Sequence, residues 1–326
     1  MMPTMRAAVI EGPGGPEVLQ VRDVALPVPE PGEVLIRVRA FGLNRSELHF
    51  RSGVASSGSF PRIPGIEATG EVAAAPGGEF EVGAQVMTMM GGMGREFDGG
   101  YAQYVVVPAG QVLPFRSALP WEMLGAVPEM LQTAYGSLHI GLQAQRGQSL
   151  LIRGGTSSVG LALAVLGKLL GMTVYATTRR PEARALLASV GVDHVLIDDG
   201  EIAGQIRRLL PEGADGAVEL VGVDAMRDTL RAVRTGGTVC FTGMLSDRWT
   251  IAEFYPMDWI PNGVRLTAYS GESADLPAPE LQAFLDAVAY GAATIPVGRV
   301  FALDDIVDAH RAMEAGRVGG NGVVIP

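Results

Sequence analysis

The sequence predicts an α/β protein of two domains. A β-rich domain is assembled from both ends of the chain, and a doubly wound parallel-sheet domain is inserted between them. Three observations carry this. The chain has 326 residues, two domains' worth at roughly 150 residues each. Its first hundred or so residues are punctuated by glycine and proline, with Pro13, Pro16, Pro27, Pro29 and Pro31 too dense for helices. From about residue 125 onward, strand and helix patterns alternate, as right-handed βαβ units require.

In chain order, the β-rich part shows strand-like runs at 6–10, 34–40, 70–75, 85–90 and 102–108. Helices are expected at 121–125 and 132–140. Strands at 149–153, 173–178, 194–197, 216–220 and 238–242 then alternate with helices at 159–170, 181–189, 202–210 and 225–233. Runs such as Leu150-Leu151-Ile152 are apolar throughout, as in sheets covered on both faces. The parallel-sheet domain is therefore placed at 125–262. Beyond it lie a strand-like run at 265–270, amphipathic helices at 279–289 and 304–315, and a short strand at 322–325. This tail has no sheet of its own, so the β-rich domain is assigned 1–124 and 263–326.

Composition excludes several function classes. At 48% apolar and 18% charged, the chain has material for packed cores. A net charge of −10 argues against nucleic-acid or anionic-membrane binding. The one cysteine, Cys240, rules out a disulfide framework and a cysteine-rich zinc lobe. The only lysine, Lys168, is followed by Leu169 rather than the Ser or Thr of a P-loop. Ala164 stands four residues before it, which excludes the Tyr-x-x-x-Lys of short-chain dehydrogenases. Residues 159–178 are apolar enough to suggest a membrane span, but Gly171 interrupts them and a central lysine costs about 2.5–3.5 kcal/mol there. No signal peptide opens the sequence, so a soluble, cytoplasmic protein is expected.

The chemistry begins at Arg153-Gly154-Gly155-Thr156-Ser157-Ser158-Val159-Gly160, between the first strand of the alternation and its helix. Such a turn aims backbone N–H groups and the positive end of a helix dipole at one point, which suits a pyrophosphate. Gly154 and Gly155 allow the turn. Gly160, Ala164 and Gly167 leave a thin helix stripe for close packing on the sheet. The usual fingerprint has glycine in the middle of the turn, where Ser157 and Ser158 offer hydroxyls instead. After the second strand come Thr177-Thr178-Arg179-Arg180, with no acid to take a ribose 2′-OH. NADP(H) is therefore favoured over NAD(H), with Arg179 the expected 2′-phosphate ligand. Val221-Gly222 and Thr242-Gly243 close the fourth and fifth strands, where ligands sit in open α/β sheets.

Several segments resemble the zinc-free quinone oxidoreductases of the medium-chain dehydrogenase/reductase superfamily. They are Gly42-Leu43-Asn44-Arg45-Ser46-Glu47 with Arg51-Ser52-Gly53, the run from Phe60 through Pro64-Gly65-Ile66-Glu67 to Gly70, Gly99-Gly100-Tyr101-Ala102-Gln103-Tyr104, and Ala309-His310-Arg311-Ala312-Met313-Glu314. The resemblance covers essentially the whole chain. It implies a GroES-like catalytic domain, a Rossmann domain binding NADP(H), and a homodimer. Zinc-dependent relatives carry a cysteine at Asn44 and a histidine at Ile66, and their structural zinc lobe would fall at 91–100, which here holds no cysteine. No metal is expected.

Without a Lewis acid, hydride transfer needs an acceptor that is already electrophilic, such as a quinone or an α,β-unsaturated carbonyl (enone or enoyl). The resemblance places Asn44 near the nicotinamide and Thr133 on a helix below it. Asn321 stands where the family often has a lysine before the last strand. Many relatives have a tyrosine at the position of His49, whose imidazole can donate a proton or hydrogen bond near neutral pH. The plainer reading of His49, a polar residue at the rim of a cleft, is slightly favoured. His139, His194 and His310 read as helix-face or strand-end residues. The alternative to a reductase is a non-catalytic NADPH-binding or sensing protein of the same fold. The aromatic stretch 245–261 reads as a pocket wall, a dimer contact or ordinary core.

Overall fold

The computed structural model describes residues 3–54 and 58–326. The chain forms two compact units, Met1–Glu129 with Glu272–Pro326, and Met130–Gly271.

In the first unit, β1 (Thr4–Val9) and β2 (Gln20–Ala25) make an antiparallel pair. The long β3 (Glu33–Gly42) leads directly into α1 (Arg45–Arg51). β4 (Glu67–Ala74) pairs antiparallel with β3 and with β5 (Gln85–Met89). β6 (Tyr104–Pro108) pairs with β3, and the three-residue β7 (Val112–Pro114) with β5. Two helices follow, α2 (Trp121–Leu124) and α3 (Pro128–Gly136), the latter continued by a π-helical stretch at Ser137–Leu142.

The second unit alternates strand and helix throughout. Its elements are β8 (Ser149–Arg153), α4 (Ser158–Leu169), β9 (Thr173–Thr178), α5 (Arg184–Ser189), β10 (His194–Ile197), α6 (Ile202–Leu209), β11 (Ala214–Glu219), α7 (Val223–Ala232), β12 (Val233–Phe241), α8 (Pro256–Trp259) and β13 (Arg265–Ala268). The six strands are all parallel, in the order β10-β9-β8-β11-β12-β13. Winding reverses between β8 and β11, the switch point at whose carboxyl edge such sheets bind ligands.

The apolar run at 159–178 is two elements, α4 and β9. Gly171 adopts φ +80° and ends α4 in a Schellman pair, Met172 N–H to Gly167 O and Gly171 N–H to Lys168 O. A Cβ at Gly167 would lie 3.1 Å from Leu150 and Val174, so the helix sits tightly on the sheet there. Among the described residues, no helix is long and apolar enough to cross a membrane.

The tail contributes α9 (Ala278–Ala289), β14 (Val297–Ala302), α10 (Ile306–Glu314) and β15 (Asn321–Ile325). β15 pairs with β3 and β14, completing a seven-stranded sheet in the first unit. One boundary moves. The run at 265–270, assigned from sequence to the β-rich domain, forms β13 and is the sixth strand of the parallel sheet. The connection before it holds only the four-residue α8, so in the sequence the alternation stops one strand early. In that connection Trp249, Phe254 and Tyr255 are exposed rather than core residues.

The core of the first unit gathers Ile10, Ile36, Phe41, Met93 and Tyr101, with the Phe41 and Tyr101 rings stacked at 4.6 Å. Phe41 is fully buried. Phe41→Ala is expected to cost about 3–5 kcal/mol in urea unfolding, because the stacked ring cannot collapse into the space left. A cost below about 1 kcal/mol would contradict this packing.

Candidate active site

Candidate binding residues in the second unit cluster at the carboxyl ends of its strands. Gly154 holds φ +91°, a conformation that favours glycine. Its N–H donates to Thr177 Oγ1 (3.1 Å), and the Gly155 N–H donates to Thr177 O (3.0 Å). A Cβ on Gly155 would meet Ala176 Cβ at 2.8 Å, and one on Gly160 would meet Gly154 O at 2.6 Å. These glycines therefore answer to the protein's own close packing. Ser157 caps α4, accepting from the Gly160 N–H (3.1 Å) while its hydroxyl donates to Gly154 O (2.8 Å). Both bonds lie inside the turn. The Ser158 and Val159 N–H groups in the first turn of α4 have no intrahelical acceptor, and Thr156 and Ser158 are half-buried beside them. This cradle fits an anion such as a pyrophosphate.

The flanking strand ends are as specific. Glu219 Oε1 accepts from the N–H groups of Val221 (2.7 Å) and Gly222 (3.0 Å), and Gly222 has φ +129°. A Cβ on Gly243 would fall 2.7 Å from Leu220 O, and Thr242 Oγ1 shares a 3.0 Å hydrogen bond with Ser137. After β9, Thr178 Oγ1 accepts from the Arg180 N–H (3.1 Å) and Arg179 is exposed. Thr133 is buried on α3, its hydroxyl donating to Gln132 Oε1 (3.2 Å).

In the first unit, Asn44 lies at the β3–α1 corner and is buried with two carboxylates that the sequence reading did not single out for a role. Glu47 stands three residues on, the spacing of a capping box. Its Oε2 accepts from the Asn44 N–H (2.9 Å) and its Oε1 from the Ile66 N–H (2.9 Å). Glu67 Oε1 accepts from Asn44 Nδ2 (2.7 Å), and its Oε2 from the Glu129 N–H in the first turn of α3 (2.8 Å). Burial dominates both groups. It pushes Glu47 up to about 7 against its N–H donors, and Glu67 up to about 8 with the Glu129 charge adding to the effect.

His49 is buried on α1, not at a rim, and its carbonyl accepts from Ser52 Oγ and the Val54 N–H. His310 is fully buried on α10 and bonded to Tyr101 Oη (3.0 Å); burial and then Arg51 hold it down to about 3. His139 packs against Tyr135, and His194 stacks on Tyr175. Asn321 opens β15, whose Gly322 carbonyl accepts from the Leu43 N–H (3.0 Å), so that strand runs beside the Asn44 corner.

The donor set does not fit zinc. Ile66 has no ligating atom, and the Asn44 amide nitrogen is committed to Glu67. In the segment 91–100, Cβ atoms at Gly94 and Gly99 would fall 2.6 and 2.2 Å from Gly65 O, so it is a packed turn rather than an open lobe. Among the described residues no three His, Cys, Asp or Glu side chains group as metal ligands.

Both raised carboxyls bind protons more tightly folded than unfolded, so the native state holds more protons from about pH 4.5 up to their raised values. Stability is thus full below that window and is lost as pH rises through about 7 to 8. Glu67→Gln cannot ionise and is expected to flatten the decline by up to about 1.4 kcal/mol per pH unit, read from urea midpoints across a pH series. An unchanged slope would contradict the burial argument.

Residues 30–117 match the family model described as alcohol dehydrogenase GroES-like domain, and residues 158–289 match the one described as zinc-binding dehydrogenase. The human quinone oxidoreductase is 29% identical over 322 residues, covering 94% of this chain and 93% of that protein. The quinone oxidoreductase of Pseudomonas aeruginosa is 28% identical over 325 residues, covering 96% and 97%. A mycobacterial protein solved in complex with NADPH superposes with a TM-score of 0.87 at 28% identity, covering 99% of this chain and all of that one. With its GroES-like and Rossmann-type folds, the chain belongs to the quinone oxidoreductase family of the medium-chain dehydrogenase/reductase superfamily.

Proposed function

We propose that this protein is an NADPH-dependent, zinc-independent reductase that passes hydride to a quinone or an α,β-unsaturated carbonyl. The observation that carries it is the Asn44 corner. An amide bonded to a buried glutamate stands at the position where, by resemblance, zinc-dependent relatives carry a cysteine. The quinone oxidoreductases among its relatives and the NADPH complex of a structural neighbour support the same reading.

When bound, the reduced dinucleotide supplies the hydride. The Ser158 and Val159 N–H groups and the end of α4 hold its pyrophosphate, and Arg179 holds the 2′-phosphate. Val221, Gly222, Thr242 and Gly243, at the strand ends, would help hold it, and the family resemblance assigns Thr133 and, separately, Asn44 to the nicotinamide. Asn321 borders the Asn44 corner. With one amide proton given to Glu67, Asn44 keeps its other N–H for the cofactor or acceptor. His49 donates to the acceptor oxygen as negative charge develops there.

Purified protein is expected to oxidise NADPH with small quinones, enals, enones or enoyl thioesters. Binding of NADPH without turnover on any of these would overturn the reductase in favour of a non-catalytic binding protein. Asn44→Ala and His49→Phe are each expected to lower kcat/KM about 100-fold. Arg179→Ala is expected to raise the KM for NADPH about tenfold or more while leaving that for NADH unchanged; equal effects on both would remove Arg179 as the phosphate ligand.

A further inference from the structure

The second unit carries a buried charge that the proposed chemistry does not use. Arg153 ends β8, one residue before the glycine turn, and is about 1% exposed. Its Nε and Nη2 fork onto the two oxygens of Asp198 (2.9 and 3.0 Å), and Nη2 also donates to Gly200 O (3.1 Å). Nη1 donates to Asp228 Oδ2 (2.8 Å), Ala225 O (2.9 Å) and Thr229 Oγ1 (3.1 Å). One guanidinium thus binds the loop after β10 and the helix after β11.

Each of those partners reaches further. Asp198 Oδ2 also accepts from Thr177 Oγ1 (3.4 Å), whose oxygen takes the Gly154 N–H (3.1 Å). Asp228 accepts from the Ile202 N–H (2.8 Å) and so holds the start of α6. Thr229 Oγ1 donates to Glu219, whose other oxygen takes the Val221 and Gly222 N–H groups. A single connected chain therefore runs from the glycine turn, through the ends of β9, β10 and β8, to the turn after β11. Burying this cation and its carboxylates carries a desolvation cost that a packed apolar side chain would not incur. What the ionic version supplies is a fixed geometry for the ends of four strands.

We propose that Arg153 is a positioning residue for the dinucleotide: a buried strut that sets the phosphate turn and the Val221-Gly222 turn relative to one another before cofactor arrives. This deepens the cofactor reading above and rests on it for the identity of the ligand. A pre-set site spares the ligand the cost of ordering these loops, so loss of the strut weakens cofactor binding and leaves the bound reaction largely as it was.

The test compares wild type with Arg153→Met, Thr177→Val and, as a control ion pair of the same unit outside the chain of contacts, Lys168→Met, which breaks the bond to Asp193. Two kinds of readout are taken: cofactor binding and turnover (the Kd for NADPH by titration and kcat at saturation), and hydrogen-exchange protection of residues 154–160 and 221–223 without ligand. Arg153→Met is expected to bind NADPH about tenfold or more weakly with kcat changed little, and to lose protection in both turns. Thr177→Val, which cuts only the link to Gly154, is expected to lose protection in the first turn, and it carries both readouts if Arg153→Met does not fold. Lys168→Met should move neither. Folded strut variants with wild-type Kd and protection overturn the proposal. If wild type binds neither NADPH nor NADH, the cofactor reading falls instead, and the strut is judged on exchange protection alone.

Discussion

A carboxyl group taken out of water must be neutralised, paired or surrounded by donors, and the first unit is organised around two that are buried side by side. Glu67 joins the Asn44 amide to the first turn of α3, and Glu47 joins the Asn44 backbone to that of Ile66. Three segments meet on two side chains, and Asn44 is held from both its backbone and its amide. In a zinc-dependent relative the metal charge would organise such a corner. Here the carboxylates do it with hydrogen bonds, and burial leaves them close to neutrality.

The second unit meets a comparable demand differently. Its glycine turn has Cβ positions closed by the protein itself, and Arg153 gathers Asp198 and Asp228. Asp198 shows the balance: burial works to raise it, but the Arg153 fork and charge, with the Gly200 N–H, hold it below the ordinary range. Burial wins at Glu219, which is pushed up to about 7, whereas the guanidinium wins at Asp198. A phosphate site needs fixed N–H directions, whereas an acceptor site needs donors where negative charge develops.

Much of this was legible in the sequence. Parallel strands buried on both faces give unbroken apolar runs, which is why β8 and β9 were read from Ser149–Arg153 and Thr173–Thr178 to the residue. β2, β7 and β14 escaped notice because they are short or largely exposed, so no two-residue alternation marks them. β13 was placed in the wrong domain because no long helix precedes it. At the site, single charges inside apolar runs were the overlooked signal. Glu219 follows Gly216-Ala217-Val218, and Arg153 follows Leu150-Leu151-Ile152. Each is costly there without partners, and those partners come from other strands, which sequence order does not reveal.

The central claim is that hydride reaches the acceptor with no metal assisting. It is tested most directly with NADPH deuterated at the transferred position and protein assayed for zinc before and after exhaustive chelation. Deuterium transferred to the acceptor at an undiminished rate by protein with far less than one zinc per chain is the expected result. A rate that falls with zinc content and returns on adding zinc would contradict it.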